Sequence, residues 1–130
     1  MVYLLDVNAL VAFGFAPHQF HHRVASWFSS GEVSLATCAI TELGFVRVLA
    51  QAPAYGLTVA EARGLLRSLK RSRNFRFTFI ADDQDVSHLP DWVKVARQLT
   101  DGHLASLAEA HGAALATLDE KIPRSYLIPK

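Results

Sequence analysis

The sequence has only one cysteine, Cys38, so no disulfide can form within the chain. This excludes the small secreted scaffolds that disulfides hold together and suits a reducing compartment. The sequence also lacks a run of about 20 apolar residues, the length that a helix needs to cross a bilayer. Asp6 interrupts the first apolar residues, where a signal peptide would continue its hydrophobic stretch. We therefore expect a cytoplasmic protein without a membrane association.

The sequence also has little net charge. Its formal charge of +1 creates no strong global field, so any attraction for nucleic acid must come from a local patch. The 130 residues are 51% hydrophobic and 19% charged, which is a globular balance. This length predicts a single domain, residues 1–130, that can bury a core without disulfides or a structural metal.

Short apolar runs that contain β-branched or aromatic residues predict strands. These are Val2 to Leu5, Val33 to Ala36, Phe75 to Ile80, Ala113 to Leu118 and a small fifth strand at Leu127-Ile128. Helical spacing and cap residues predict the helices. These are Asn8 to Phe15, His18 to Ser29 closed by Ser30-Gly31, Cys38 to Gln51, Thr58 to about Lys70, a short helix or two in Asp85 to Leu99, and Asp101 to His111. The alternation predicts an α/β fold, a three-layer α/β/α sandwich with a short, mainly parallel sheet of about four to five strands.

Four carboxylates occupy unusual positions in this pattern. Asp6 directly follows the first strand and Asp119 the fourth, and ligands of parallel sheets bind at the carboxyl ends of strands. Glu42 lies among apolar neighbours on the buried face of its helix, and Asp101 begins a helix along an apolar stripe. Each acid has an ordinary alternative: Asp6 as a helix cap, Asp101 at a helix dipole, Asp119 in a turn, and Glu42 paired with Arg47 or another base.

Taken together, the four acids favour a metal site. Carboxylates crowded at one sheet edge repel one another unless a cation lies between them. Oxygen ligands of this kind suit Mg²⁺ or Mn²⁺. The usual chemistry of such a site is displacement at phosphorus, with an activated water as nucleophile.

Four short motifs carry a resemblance to a known family over nearly the whole chain. They are LLDVNAL at 4–10, TEL at 41–43, TDGHLA at 100–105 and ATLD at 116–119. In order, residue type and approximate spacing they resemble the acidic motifs of the PIN-domain family, and of the VapC-type toxins in particular. Two positions differ from the commonest pattern: His103 stands where an aromatic residue is usual, and Glu120 where a basic residue is frequent.

The resemblance implies a single-strand-specific endoribonuclease that depends on Mg²⁺ or Mn²⁺. It also implies a homodimer and a cognate VapB-like antitoxin, whose tail typically occupies the acidic groove. By the same resemblance, the metal ligands, directly or through water, are Asp6, Glu42, Asp101 and Asp119. Asn8 and Thr117 are then the residues that orient carboxylates and waters.

A basic stripe on the predicted fourth helix is a candidate RNA contact. Helical spacing places four cations on one face: Arg63, Arg67, Lys70 and Arg71. The stripe could hold RNA phosphates without sequence preference, or it could be an ordinary solvated helix face. His103 is a further candidate for substrate contact because it neighbours Asp101.

Two other polar groups have mainly structural interpretations. His18, His21 and His22 have a helical spacing that could bind Zn²⁺, but polar surface residues are the favoured interpretation. The acids Asp82, Asp83 and Asp85 are interpreted as a solvated loop.

Two other function classes stay open at this point. The chain could be a catalytically silent module whose acidic groove binds only a basic protein tail. It could also be a phosphotransfer enzyme with Asp6 as covalent nucleophile and Lys121 as a weak candidate for the required lysine.

Overall fold

The computed structural model of the chain, which describes residues 1–30 and 33–130, contains a five-stranded sheet. Its strands are β1 (Val2–Leu5), β2 (Ser34–Cys38), β3 (Phe77–Ile80), β4 (Ala114–Thr117) and β5 (Tyr126–Leu127). They lie in the order β3-β2-β1-β4-β5, and every neighbouring pair is parallel. All five carboxyl ends therefore point to one edge, as the sequence predicted.

Five α-helices cover the sheet. They are α1 (Val7–Gly14), α2 (His21–Ser29), α3 (Ala39–Gln51), α4 (Val59–Arg71) and α5 (Leu99–Ala110). Two short 3₁₀ turns, Val86–His88 and Ala96–Gln98, connect β3 to α5.

The buried residues form two clusters, one on each face of the sheet. Adjacent residues of β1 point to opposite faces, so Leu5 joins the cluster under α1 to α4 and Leu4 joins the cluster under α5. Both leucines are fully buried, and so are Phe45 of α3 and Leu104 of α5. Helices on both faces make three layers, which confirms the predicted α/β/α architecture.

Most element boundaries lie within one to three residues of the predictions. Two shifts affect the functional interpretation. The second helix begins at His21 rather than His18, so His18 does not share helical spacing with His21 and His22. The last helix begins at Leu99, which places Asp101 inside its first turn. The predicted helix end at Gly31 lies outside the described residues.

The start of α4 follows the predicted capping pattern. The Glu61 backbone amide donates to the Thr58 hydroxyl at 3.0 Å, and the Thr58 amide donates to the Glu61 carboxylate at 2.9 Å. In the part of the chain that the structure describes, no helix combines the length and the apolar character needed to cross a membrane.

Candidate active site

Asp6 lies at the centre of the carboxyl edge, between β1 and α1. It caps α1, because its Oδ1 accepts a hydrogen bond from the Ala9 amide at 2.8 Å. Its Oδ2 accepts a hydrogen bond from the Thr117 hydroxyl at 2.5 Å. Only 5% of Asp6 is exposed. The helix-cap interpretation is therefore correct, but it accounts for only one of the two carboxylate oxygens.

The environment of Asp6 favours its protonated form. Burial raises the pKa of this carboxyl to about 6 from 3.8, although hydrogen bonds from Thr117 and Ala9 act in the opposite direction. The negative charges of Asp101 and Asp119 raise this pKa further. The structure thus brings three of the four predicted acids into electrostatic contact.

Asp101 and Asp119 approach Asp6 from different elements. Asp101 lies in the first turn of α5, where burial and the nearby charge of Asp119 raise its pKa. Asp119 is exposed in the turn after β4, and its Oδ1 accepts a hydrogen bond from the Lys121 amide at 2.9 Å. Both acids line one cavity of about 370 Å³.

Thr117, at the end of β4, links two of these acids. Its hydroxyl donates to Asp6 and accepts a hydrogen bond from the Asp119 amide at 2.9 Å. The side chain is fully buried. Asn8, the other residue expected to orient the site, is exposed in α1, and the structure gives its side chain no hydrogen bond to a described residue.

Glu42 lies in the first turn of α3 and differs from the three aspartates because it has a cationic partner. Its Oε2 accepts hydrogen bonds from the Lys70 ammonium and from the Thr37 hydroxyl, each at 2.6 Å. The partner that its half-buried position requires is therefore Lys70 of α4 rather than Arg47.

A close helix contact sets the position of Glu42 relative to β1 and α1. A Cβ on Gly44 would lie 2.5 Å from Cγ2 of Val7. Gly44 is two residues after Glu42, and Val7 directly follows Asp6. This close approach packs the second turn of α3, which follows Glu42, against the first turn of α1, which carries the Asp6 cap.

The three aspartates fit a divalent cation in their chemistry. Asp6, Asp101 and Asp119 offer hard oxygen donors that repel one another, and a cation between them would remove that repulsion. None of them forms an ion pair with a residue that the structure describes. Within the described ranges no three His, Cys, Asp or Glu side chains lie close enough together to hold a metal ion as they stand.

The basic stripe lines a groove of about 750 Å³ between α3 and α4. All four predicted cations border it: Arg63, Arg67, Lys70 and Arg71. The groove also has a large apolar content, including Leu43, Val59 and Phe79, each more than half exposed. Such exposed apolar side chains are more typical of a surface that a partner covers than of an ordinary solvated helix face.

His103 is engaged with a residue of the acidic loop. Its Nε2 lies 2.5 Å from Oδ2 of Asp82, and His111 forms a similar contact with Asp83 at 3.0 Å. These pairs fasten the segment after β3 to α5. The acidic loop of Asp82 and Asp83, predicted to be solvated, is therefore partly held against α5.

Sequence reasoning missed several residues near the site. Thr37 precedes the helix of Glu42 and gave no signal beyond its place at a strand end. Trp92 and Arg97, which lie nine and four residues before Asp101, line the cavity of Asp101 and Asp119. Both residues belong to the irregular segment and the 3₁₀ turn that directly precede α5. Lys121, which the sequence suggested only as the lysine of a phosphotransfer enzyme, lines the same cavity.

Comparisons with known proteins agree with this architecture. The family model described as PIN domain matches residues 3–126. The chain is 41% identical over 122 residues to Ribonuclease VapC38 of Mycobacterium tuberculosis, covering 89% of this chain and 84% of the relative. It is 35% identical to Ribonuclease VapC29 of the same species, covering 92% and 86%.

Two solved structures share the fold. The Mycobacterium tuberculosis toxin VapC20, described as cleaving the sarcin-ricin loop, superposes with a TM-score of 0.67 at 13% identity, covering 98% of this chain and 99% of that one. A chain of VapBC2 from Rickettsia felis, bound to a DNA fragment from its promoter, gives a TM-score of 0.62 at 16% identity, covering 98% and 97%.

Proposed function

The chain belongs to the PIN-domain family, and we propose that it is a divalent-metal-dependent endoribonuclease, the toxin of a VapBC-type pair. The observation that carries this proposal is the group of Asp6, Asp101 and Asp119, three mutually repelling carboxylates without cationic partners among the described residues. Ribonuclease relatives at 35–41% identity support the same reaction class.

The proposed reaction is hydrolysis of an RNA phosphodiester. A bond forms between a water oxygen and phosphorus, and one bond between phosphorus and a ribose oxygen breaks. The ligands would be Asp6, Asp101 and Asp119, with Glu42 as a fourth acid. When bound, Mg²⁺ or Mn²⁺ would acidify a coordinated water and offset charge on the phosphate oxygens.

The protein groups have separate proposed tasks in this reaction. The hydroxyl of Thr117 favours the ionised form of Asp6 and fixes its direction. Asn8, exposed on the first turn of α1, would contact waters of the site.

Two surfaces are proposed to receive RNA. Arg97, Lys121 and the Trp92 indole border the cavity of Asp101 and Asp119, and such groups bind phosphates and stack on bases. The basic stripe would extend phosphate contact along α4. Because its groove also exposes apolar side chains, it equally fits an amphipathic antitoxin segment with acidic residues.

A VapB-like antitoxin and a homodimer complete the proposal. The structural neighbours VapBC2 and FitAcB of Neisseria gonorrhoeae have names that join two components, which supports the antitoxin. The homodimer rests on the family resemblance alone. Light scattering of the purified chain, alone and with the antitoxin produced in the same cells, tests both assemblies. A monomer that co-purifies with no antitoxin would contradict them.

The two competing functions fit less well. A covalent phosphotransfer enzyme needs an accessible nucleophile, whereas Asp6 is buried and both of its oxygens accept hydrogen bonds. A silent binding module gives no reason for Asp101 and Asp119 to be kept beside the buried carboxyl of Asp6, where the three acids repel one another.

The deciding experiment is cleavage of a mixed RNA pool with Mg²⁺ or Mn²⁺, beside EDTA and the variants Asp6→Asn and Asp101→Asn. We expect cleavage that requires the metal and both aspartates. Calorimetry with Mn²⁺ accompanies it, so a folded protein that binds no Mn²⁺ and cuts no RNA would indicate the binding module. Full activity in a folded Asp101→Asn variant would also contradict the proposal.

A further inference from the structure

We propose that Lys70 is a positioning residue that competes with a divalent cation for Glu42. This inference rests on the proposed metal site. Lys70 extends from the last turn of α4, and its ammonium lies 2.6 Å from Oε2 of Glu42. An internal cation therefore already neutralises one of the four acids that the family pattern assigns to the metal.

Other side chains also contact the Lys70–Glu42 pair. The Thr37 hydroxyl donates to the same Oε2 at 2.6 Å, so two donors share one carboxylate oxygen. The Lys70 ammonium also lies 5.3 Å from the centre of the Phe79 ring, within the range of a cation–π interaction. Lys70 and Glu42 side chains are 32% and 23% exposed, so water screens the pair only partly.

The competition follows from charge. A divalent cation that engages Glu42 must either displace the Lys70 ammonium or bind beside it, and both arrangements cost electrostatic energy. Asp6, Asp101 and Asp119 have no comparable partner among the residues described. The three aspartates would thus set the basic affinity for metal, and Lys70 would limit the contribution of Glu42.

Metal binding would also change the neighbouring groove. Lys70 lines the groove of the basic stripe, so an ammonium released from Glu42 stays at its rim, where RNA phosphates can bind it. Metal at the acids and a phosphate at Lys70 would then favour each other. This coupling distinguishes Lys70 from the other three cations of the stripe.

The test is Mn²⁺ affinity, measured by calorimetry on the full chain, for the wild type, Lys70→Gln, Lys70→Arg and Arg71→Gln. Lys70→Gln removes the counter-ion, so we expect it to bind Mn²⁺ about threefold to tenfold more tightly, as the Coulomb energy of a screened charge predicts. Lys70→Arg keeps the charge and should match the wild type. Arg71→Gln removes the same charge from the same helix end, but Arg71 has no ion pair with Glu42. Its Mn²⁺ affinity should therefore stay within about twofold of the wild-type value.

Thermal unfolding gives a second readout. In EDTA, Lys70→Gln leaves Glu42 without its cation and should unfold at a lower temperature than the wild type. Saturating Mn²⁺ should then raise its unfolding temperature more than that of the wild type. The double variant Glu42→Gln/Lys70→Gln should bind Mn²⁺ with the affinity of Glu42→Gln alone, because the competition acts through Glu42.

The outcomes separate the two proposals. A folded Lys70→Gln variant whose Mn²⁺ affinity is unchanged or weaker, while the wild type binds Mn²⁺, overturns the role of Lys70 only. If Lys70→Gln does not fold, the test uses Lys70→Arg and Glu42→Gln instead. A difference in Mn²⁺ affinity between Lys70→Arg and the wild type overturns the role of Lys70. Equal affinity of these two proteins, together with weaker Mn²⁺ binding by Glu42→Gln, supports that role. A wild type that binds no Mn²⁺ overturns the proposed function together with this inference.

Discussion

The hydroxyl of Thr117 lies 2.5 Å from Oδ2 of Asp6, across 111 residues of sequence. This hydrogen bond joins the ends of β4 and β1, which are neighbours in the sheet. It also lowers the pKa of the Asp6 carboxyl, whereas burial raises that pKa. One threonine therefore affects how much of the central acid is ionised near neutral pH.

Thr117→Val tests this role, because valine has a similar shape but no hydroxyl. The pKa of Asp6 should rise further, so more of Asp6 is protonated at pH 7. We expect Mn²⁺ affinity at pH 7 to fall roughly 10- to 100-fold, as is typical for loss of a residue that orients a metal ligand. Thr117→Ser keeps the donor and should recover most of the affinity.

The pH dependence separates this effect from structural damage. Raising the pH ionises Asp6 in the variant, so the gap between Thr117→Val and the wild type should narrow at pH 8.5. A gap that is equal at pH 7 and pH 8.5 in folded protein would contradict the proposed role.

The ionised Asp6 carboxylate should lower the stability of the metal-free protein. Its pKa is about 6 in the folded chain against an ordinary value of 3.8, so the native state binds this proton more tightly than the unfolded state. The contribution of Asp6 to stability therefore falls as the pH rises from about 3.8 to about 6 and is constant above that range. In EDTA at pH 7.5, Asp6→Asn should be more stable than the wild type by roughly 1–3 kcal/mol.

Urea unfolding at pH 7.5 and pH 4 checks this sign. The advantage of Asp6→Asn should largely disappear at pH 4, where the wild-type carboxyl is protonated in the native state. Saturating Mg²⁺ at pH 7.5 should stabilise the wild type and not the variant. A variant that is less stable than the wild type at pH 7.5 in EDTA would refute the destabilising role of Asp6.

The sequence predicted the sheet and the position of two of its acids, Asp6 and Asp119, for a common physical reason. Strand and helix patterns repeat over several residues, and acids directly after strands are carried to one edge by parallel pairing. Asp6 and Asp119 could therefore be placed without knowledge of packing. The start of α5 was predicted less accurately, at Asp101 instead of Leu99. Leu99 and Thr100 carry no strong cap signal, and the preceding 3₁₀ turn leads directly into the helix.

Contacts between distant segments could not be predicted. The Lys70 partner of Glu42 depends on how α4 packs on α3, and 28 residues separate the two side chains. The approach of Trp92 and Arg97 to Asp119 depends on an irregular segment without periodicity. The sequence showed that Glu42 needed a partner but did not identify it.

His103 should act on the fold of its segment rather than on RNA, because its Nε2 contacts Asp82. If so, His103→Gln and Asp82→Asn break the same contact and should have equal effects on stability and on KM for RNA. We expect each to lower stability by about 0.5–1.5 kcal/mol, the usual range for one hydrogen bond. A rise in KM for His103→Gln alone would instead support the substrate contact that the sequence suggested.

Gly44 should be required for the approach of α3 to α1. In Gly44→Ala the new Cβ would lie 2.5 Å from one methyl of Val7, 3.0 Å from the other and 3.3 Å from its Cβ, so rotating Val7 cannot relieve the contact. Overpacking of this kind costs about 1–3 kcal/mol, and it should move the Asp6 cap and lower Mn²⁺ affinity. Gly64→Ala is the matched control, since a Cβ there meets nothing within 4 Å and should stabilise α4 by about 0.5–1 kcal/mol. Equal stability changes in the two variants, measured by urea unfolding, would show that the Val7 contact does not constrain the site.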